Sequence, residues 1–316
     1  MTVKEIFDLR KQGRVEEAYE AIRPMYAVHQ GKYTTLCMFW TANDILKKRV
    51  KENRIDEAEK IFKALLRILP NIEDADGKAQ SSILHDAVLL TKESEKFSML
   101  DFVSLLKVET LRQEDWSPSV ASVRNGSGNH PIPGIAEQML TQAFHEIQQT
   151  PTTDNALKVM PLLHEAIRQN PRNKHNQRYM AVVYVIMGER EKAISIYQQL
   201  LSRYKDSYLY AEMADLTEEI GLKAAYLCQA IRNQRQEVFK TGYRLGLARL
   251  LMDRDKPKAA HELQKYAAVR KMQGQSIPYD VQNMISQLGN IQPTTDTEQQ
   301  TFYKKMAEKY KGSSKN

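Results

Sequence analysis

Cysteine is nearly missing from this chain. Cys37 and Cys228 are the two in 316 residues, far apart and each flanked by apolar neighbours. That excludes a disulfide scaffold and makes a reducing cytosol the natural compartment, so a cytoplasmic location is expected. No run of 18 apolar residues occurs, so no membrane span is expected. The start carries no apolar signal-peptide core. Instead "TVKE" reads as a capping box, with Thr2 and Glu5 opening a helix at once. Glycine is sparse at 13 residues, helix formers dominate and strand-like alternation is hard to find, which points to an all-α chain. An aromatic content of 8% and a mean hydropathy of −0.56 suit a thin core under much polar surface. "NGS" at 125–127 is formally a glycosylation sequon, read here as coincidence because no secretory signal accompanies it.

Catalytic signatures are equally thin. The seven histidines form neither HExxH nor a Cys/His cluster. "HEIQ", "HEAI" and "HELQ" each set a His beside a Glu on a helix without a partner at i+4, and read as solvent-facing polar residues. Cys37 in "TLCMFW" and Cys228 in "YLCQAI" read as small buried hydrophobes rather than nucleophiles. There is no Gly-rich phosphate loop, no GxSxG elbow and no kinase signature. No catalytic residue, metal or cofactor is therefore assigned, and the chain is not expected to be an enzyme.

What the chain does have is a repeat. "KQGRVEEAYEAI", "KENRIDEAEKIFKALLRILP" and "IMGEREKAISIYQQLL" align on Gly13, Asn53 and Gly188. Five positions on stand Ala18, Ala58 and Ala193; nine on, Ile22, Phe62 and Tyr197; twelve on, Met25, Leu65 and Leu200. Gly or Asn is wanted where the chain leaves a helix in the left-handed conformation. The small alanine lets a second helix approach closely, and the later apolar residues line its inner face. Pro70 closes the second copy. The unit is an antiparallel helical hairpin.

These residues resemble the tetratricopeptide (TPR) repeat, a unit of about 34 residues with a turn glycine, an early alanine in the second helix, then an aromatic and a proline. The best match is "NQRYMAVVYVIMGEREKAISIYQQLL", with Ala181, Tyr184, Gly188, Ala193 and Tyr197 in place. Ala166 and Pro171 match the ending of a preceding unit, and Ala248, Ala260 and Ala267 a later one. Arg190 stands where the pattern wants an apolar residue. The opening also resembles uncharacterised TPR-like proteins of Bacteroides-like genomes that are linked to mobile-element conflict systems. The resemblance implies a helical-hairpin solenoid whose first helices line a groove for an extended peptide or partner helix.

Composition divides the chain. "EDWSPSVASVRNGSGNHPIPG" is rich in Pro, Gly and Ser and reads as a connector. The expected organisation is an N-terminal hairpin block over 1–112, a connector over 113–133, a TPR-like solenoid over 134–272, and capping helices with a disordered tail over 273–316. Thr295 and Glu298 form a second capping-box pattern opening the last helix, read as a polar cap. Formal charge is −1 over 1–116, +1 over 117–133 and +7 over 134–316. Repeat spacing puts Lys174, His175, Arg178 and Arg249 on first helices, and the resemblance implies that this side is the concave one. The basic excess lies in this half, so these four are nominated as partner-binding residues receiving an acidic or extended protein segment. The bland alternative is solvated charge, with Arg249 pairing to Asp253. The basic run "KKRVKENR" at 47–54 reads first as a favourable helix C-terminus. The function expected is a non-catalytic protein-interaction scaffold. The alternative is an RNA- or DNA-associated factor, within a bacterial mobile-element or defence system, using the basic C-terminal half.

Overall fold

The computed structural model describes residues 1–120 and 131–309. Residues 121–130 of the expected connector and the expected disordered tail therefore lie outside the described residues. Within them the chain is all-α, apart from a two-residue antiparallel ladder of β1 (Ser119–Val120) with β2 (Pro131–Ile132). It divides into two compact units, Met1–Tyr179 and Met180–Asn316.

The first unit holds α1 (Val3–Lys11), α2 (Val15–Val28), α3 (Lys32–Lys51), α4 (Ile55–Ile68), α5 (Lys78–Glu93), α6 (Met99–Leu105), α7 (Gln113–Trp116), α8 (Ile135–Gln149), α9 (Thr153–Gln169) and the start of α10 (Lys174–Ile186). The second holds the rest of α10, then α11 (Arg190–Arg203), α12 (Ser207–Asp215), α13 (Ile220–Asn233), α14 (Thr241–Leu251), α15 (Lys256–Met272), α16 (Tyr279–Leu288) and α17 (Asp296–Lys309).

The hairpin turns are built alike. Gly13, Asn53 and Gly188 all have positive φ, between 58° and 78°. After each, the next residue's N–H reaches back five residues, from Arg14 to Leu9, Arg54 to Arg49 and Glu189 to Tyr184, at 2.8–3.0 Å. That is the Schellman closure, which satisfies carbonyls left open by the helix end. Gly274 closes α15 the same way, with Gln275 bonded to Arg270 at 2.9 Å. The alanines five positions after the three repeat turns, Ala18, Ala58 and Ala193, are fully buried, as are Ile22, Phe62 and Tyr197 behind them to within 2%. Pro70 ends α4 as expected, turning its last residues into a 3₁₀ turn at Leu69–Asn71. Pro24 lies inside α2, which runs on to Val28.

The boundary drawn at 113–133 does not coincide with the division between compact units. Helices on either side of that segment pack together, α5 and α6 against α8, and α6 against α9. The physical reason is a close approach. A Cβ on Gly134 would lie 2.4 Å from the Trp116 carbonyl carbon, so only glycine lets the start of α8 meet the end of α7. The segment 113–133 also opens with α7, whose Trp116 is buried at 6% exposure.

A buried carboxyl in the first unit sets a pH dependence. Asp86 on α5 is fully buried, its Oδ2 accepting from Asn43 Nδ2 on α3, with Lys47 Nζ 3.9 Å from Oδ1. Burial pushes this carboxyl up to about 7, against the opposing pull of Lys47 and the Asn43 bond. The folded chain then keeps a proton that the unfolded chain, with its ordinary value of 3.8, has lost. This group's contribution is fully present below that ordinary value and is lost as pH rises through about 7. Glu16 works the other way. Bonds from Arg49 and Lys48 hold it down to about 2, so its contribution is present above the ordinary glutamate value and lost as acid approaches 2. Asp86→Asn is expected to raise the melting temperature at pH 7–8 and to remove one proton's worth of decline between pH 4 and 7. Thermal melts of both proteins across pH 4–8 check this, and parallel curves would refute it.

Candidate functional site

Much of the basic run at 47–54 is paired within the first unit. Arg49 is buried and reaches Glu16, Glu52 and Glu57, Lys48 pairs with Glu16 at 3.0 Å, and Arg54 pairs with Glu57 at 2.7 Å. The Glu16 contacts tie the first hairpin to the second, and the Glu52 and Glu57 contacts lie within the second. Cys37 and Cys228 are both buried, and burial raises each thiol above its usual range.

Three of the four nominated residues stand together at the start of α10. His175 is exposed, and Lys174 and Arg178 are half-buried. Arg178 lies over the Phe144 ring of α8 at 5.9 Å, and Tyr179 stacks on that same ring at a centroid distance of 3.9 Å. The guanidinium is therefore aimed by an aromatic shelf rather than left to swing. Arg249 belongs to the other compact unit. It is exposed on α14 and pairs at 2.8 Å with Asp280 of α16, not with Asp253. A four-residue turn was the wrong place to seek its partner, because α16 folds back on α15 and brings an acidic residue from 31 positions away.

The strongest polar constellation in the second unit was not nominated. Glu262 on α15 is fully buried, although "HELQ" reads as solvent-facing in the sequence. Its Oε2 accepts from Arg244 Nη1 of α14 at 2.8 Å, and its Oε1 accepts from Gln299 Nε2 of α17 at 2.6 Å and from the Tyr303 hydroxyl. Arg244 also donates to Tyr303 at 3.3 Å and through Nη2 to Glu237 at 2.8 Å. Burial works against the Arg244 charge, but Glu262 opposite it prevails and holds the proton more tightly than usual. Burial and the same carboxylate push the Tyr303 hydroxyl up. Beside it His261 Nδ1 meets the Thr294 carbonyl at 2.8 Å, fixing the chain just before α17. The other two His–Glu pairs do leave their His exposed, at His145 and His164.

A signal for this cluster was available. Ala259, Glu262, Leu263, Tyr266 and Val269 share the buried stripe of α15, so the glutamate sits at a core position. Arg244 falls likewise in register with Leu247, Ala248 and Leu251. An open cleft of about 470 Å³ lies against the cluster, bounded by Arg244, His261, Lys265, Asp296 and Tyr303, with Val269 and Met272 on its apolar side. Among the described residues no group of three or more His, Cys, Asp or Glu is arranged to hold a metal ion. Among them also, no helix is long and apolar enough to cross a membrane.

Comparison with known proteins adds a frame. A family model described as a domain of unknown function, DUF7017, matches residues 175–309, under half of the chain. No curated protein matches the sequence. Among solved structures the chain is similar to the crystal structure of a tetratricopeptide repeat protein from Parabacteroides merdae. The identity is 13%, the match covers 91% of this chain and 97% of that one, and the TM-score is 0.40. The tetratricopeptide likeness of this chain stands on its own hairpins, through their left-handed turns and the buried alanines that follow them. The matched stretch 175–309 takes in the Glu262 cluster and all of α17 up to its last residue.

Proposed function

We propose that this protein is a non-catalytic interaction scaffold of helical hairpins, acting in the cytoplasm, that holds a segment of a protein partner. The observation that carries the reading is the repeated hairpin with its Schellman turn and buried alanine, a unit that presents helix faces rather than a reaction centre. Each unit offers its own basic contact to an acidic or extended segment, Lys174, His175 and Arg178 in the first and Arg249 in the second. Support comes from the net charge of +7 and from the aromatic shelf under Arg178. Attraction of this kind weakens with salt, over a Debye length of about 8 Å at physiological strength.

The test is a titration with a Glu/Asp-rich peptide, and with generic RNA and DNA, across a salt series. The double variant Arg178→Glu with Arg249→Glu is expected to lose the acidic peptide while its helicity is unchanged and its stability moves by no more than about 1 kcal/mol. Undiminished peptide binding in that variant would place the binding surface elsewhere. Tight binding of RNA or DNA with a steep salt slope would replace the reading with the nucleic-acid alternative.

A further inference from the structure

The loops that join one hairpin to the next in the second unit lie along one edge. Helices α11, α13 and α15 are each the second helix of a hairpin, so their C-terminal ends lead into these loops. Past α13, Gln234 Nε2 donates to the Ser207 hydroxyl at the start of α12 at 3.2 Å, which joins the second loop to the first. The 3₁₀ turn that follows, Glu237–Lys240, shares the open cleft with Val269 and Met272, which joins the second loop to the end of α15. Residues 203–206, 232–240 and 270–276 on this edge hold seven basic and two acidic residues. The turns inside the hairpins, 187–192, 215–223 and 252–258, hold six basic and seven acidic ones, so the basic excess sits at the loop edge.

Arg203, Lys205, Arg232, Arg235 and Lys271 are exposed there, and among the described residues none of the five has an ion pair. Neither acid is left to neutralise them: Glu237 pairs with Lys240 and Arg244, and Asp206 has a partner of its own. A favourable helix end accounts for Arg203, Arg232 and Lys271, which stand in last turns. It does not account for Lys205 and Arg235, which stand past the helix ends. Nor does it account for Phe239 and Met272, which are 58% and 72% exposed on the same edge. Beside the cleft of about 470 Å³ opens a second recess of about 570 Å³, lined by Ala267, Ala268, Lys271, Gly274 and Ile277. Ala268 lines both.

We propose that this edge docks an acidic segment of the partner protein that carries one large apolar residue. Its carboxylates meet Arg203, Lys205, Arg232, Arg235 and Lys271, and its apolar side chain enters the recess walled by Ala267, Ala268 and Ile277. Charge complementarity selects a polyanion, and the recesses select among polyanions. A lipid surface is flat and leaves both recesses unfilled. A nucleic acid stacks its bases on aromatic faces, whereas this recess is walled by aliphatic side chains. Exposed ion pairs are worth little singly, so the apolar anchor sets the affinity. This rests on the scaffold reading above and names a surface of the second unit separate from Arg249.

Two fluorescent Glu/Asp-rich peptides test it, identical except for a central leucine in one and an alanine in the other. The leucine peptide is expected to bind the unaltered protein about tenfold more tightly, the low end of what burying a leucine side chain gives. Ala268→Trp fills the recess, and Arg232→Glu with Arg235→Glu reverses the charge beside it. Each change is expected to abolish the leucine advantage and to leave binding of the alanine peptide as it was. All three positions are exposed, so the melting temperature should not move. Equal binding of the two peptides to the unaltered protein would overturn the proposal, a result that needs no variant to fold. An advantage that survives either change overturns it too. So does loss of RNA or of phosphatidylserine vesicles by the charge-reversed protein while the leucine peptide stays bound, which would give the edge to that polyanion. Arg178→Glu with Arg249→Glu tests the scaffold reading apart, since it removes the alanine peptide and leaves the leucine peptide held at this edge.

Discussion

Glu262→Ala is expected to destabilise the second unit by about 3–5 kcal/mol, the usual cost of removing one member of a buried ion pair and leaving the other. Arg244, buried at 4% exposure, would keep the exposed-side contact with Glu237 and the longer bond to the Tyr303 hydroxyl, but no buried counter-charge. The Gln299 amide and the Tyr303 hydroxyl, both buried, would lose their shared acceptor. Each orphaned group adds its own desolvation penalty. Glu262→Gln keeps the shape and one acceptor oxygen, so its cost should fall between the wild type and the alanine variant. Urea unfolding followed by far-UV circular dichroism reads both. An alanine variant within about 1 kcal/mol of wild type would mean that the cluster is satisfied by water in solution and is not a buried network.

Phe144→Ala should cost about 3–5 kcal/mol in the first unit, because it empties a large buried site between α8 and the start of α10. The ring is 1% exposed, stacked on Tyr179 and covered by the Arg178 guanidinium. A cavity there removes apolar burial and unseats the arginine together. The variant should therefore also bind the acidic peptide more weakly, even under conditions where it remains folded. Both tryptophans, Trp40 and Trp116, lie in the first unit, so their fluorescence follows this transition directly. Lost stability with unweakened peptide binding would detach the aromatic shelf from the binding role.

The hairpins were legible in the sequence because their rules are local. A glycine or asparagine at the turn, an alanine five residues on and a large apolar residue nine on are read within one helical repeat, and Gly13, Asn53 and Gly188 all adopt the left-handed conformation the spacing demands. Capping followed the same logic. Thr2 with Glu5 and Thr295 with Glu298 close the boxes their spacing announces. The close apposition of α7 and α8 was hidden, because a Pro/Gly/Ser-rich stretch says how freely a chain can turn and not whether its two flanks meet. It took Gly134 against Trp116 to show that they do.

The site divides along the same line. Charge and helical register were enough to bring Lys174, His175 and Arg178 to one helix end, since neighbours three and four apart share a face. Register also marked Glu262 and Arg244 as polar residues at core positions. Whether such a residue is a solvated exception or half of a buried pair depends on what arrives opposite it. Here the partners come from 18, 37 and 41 residues away, on α14 and α17. One-dimensional periodicity orients a side chain toward the core but carries no information about the helix that will face it. Only the folding of α17 back onto α13 supplied the hydroxyl and amide that make a buried carboxylate tolerable.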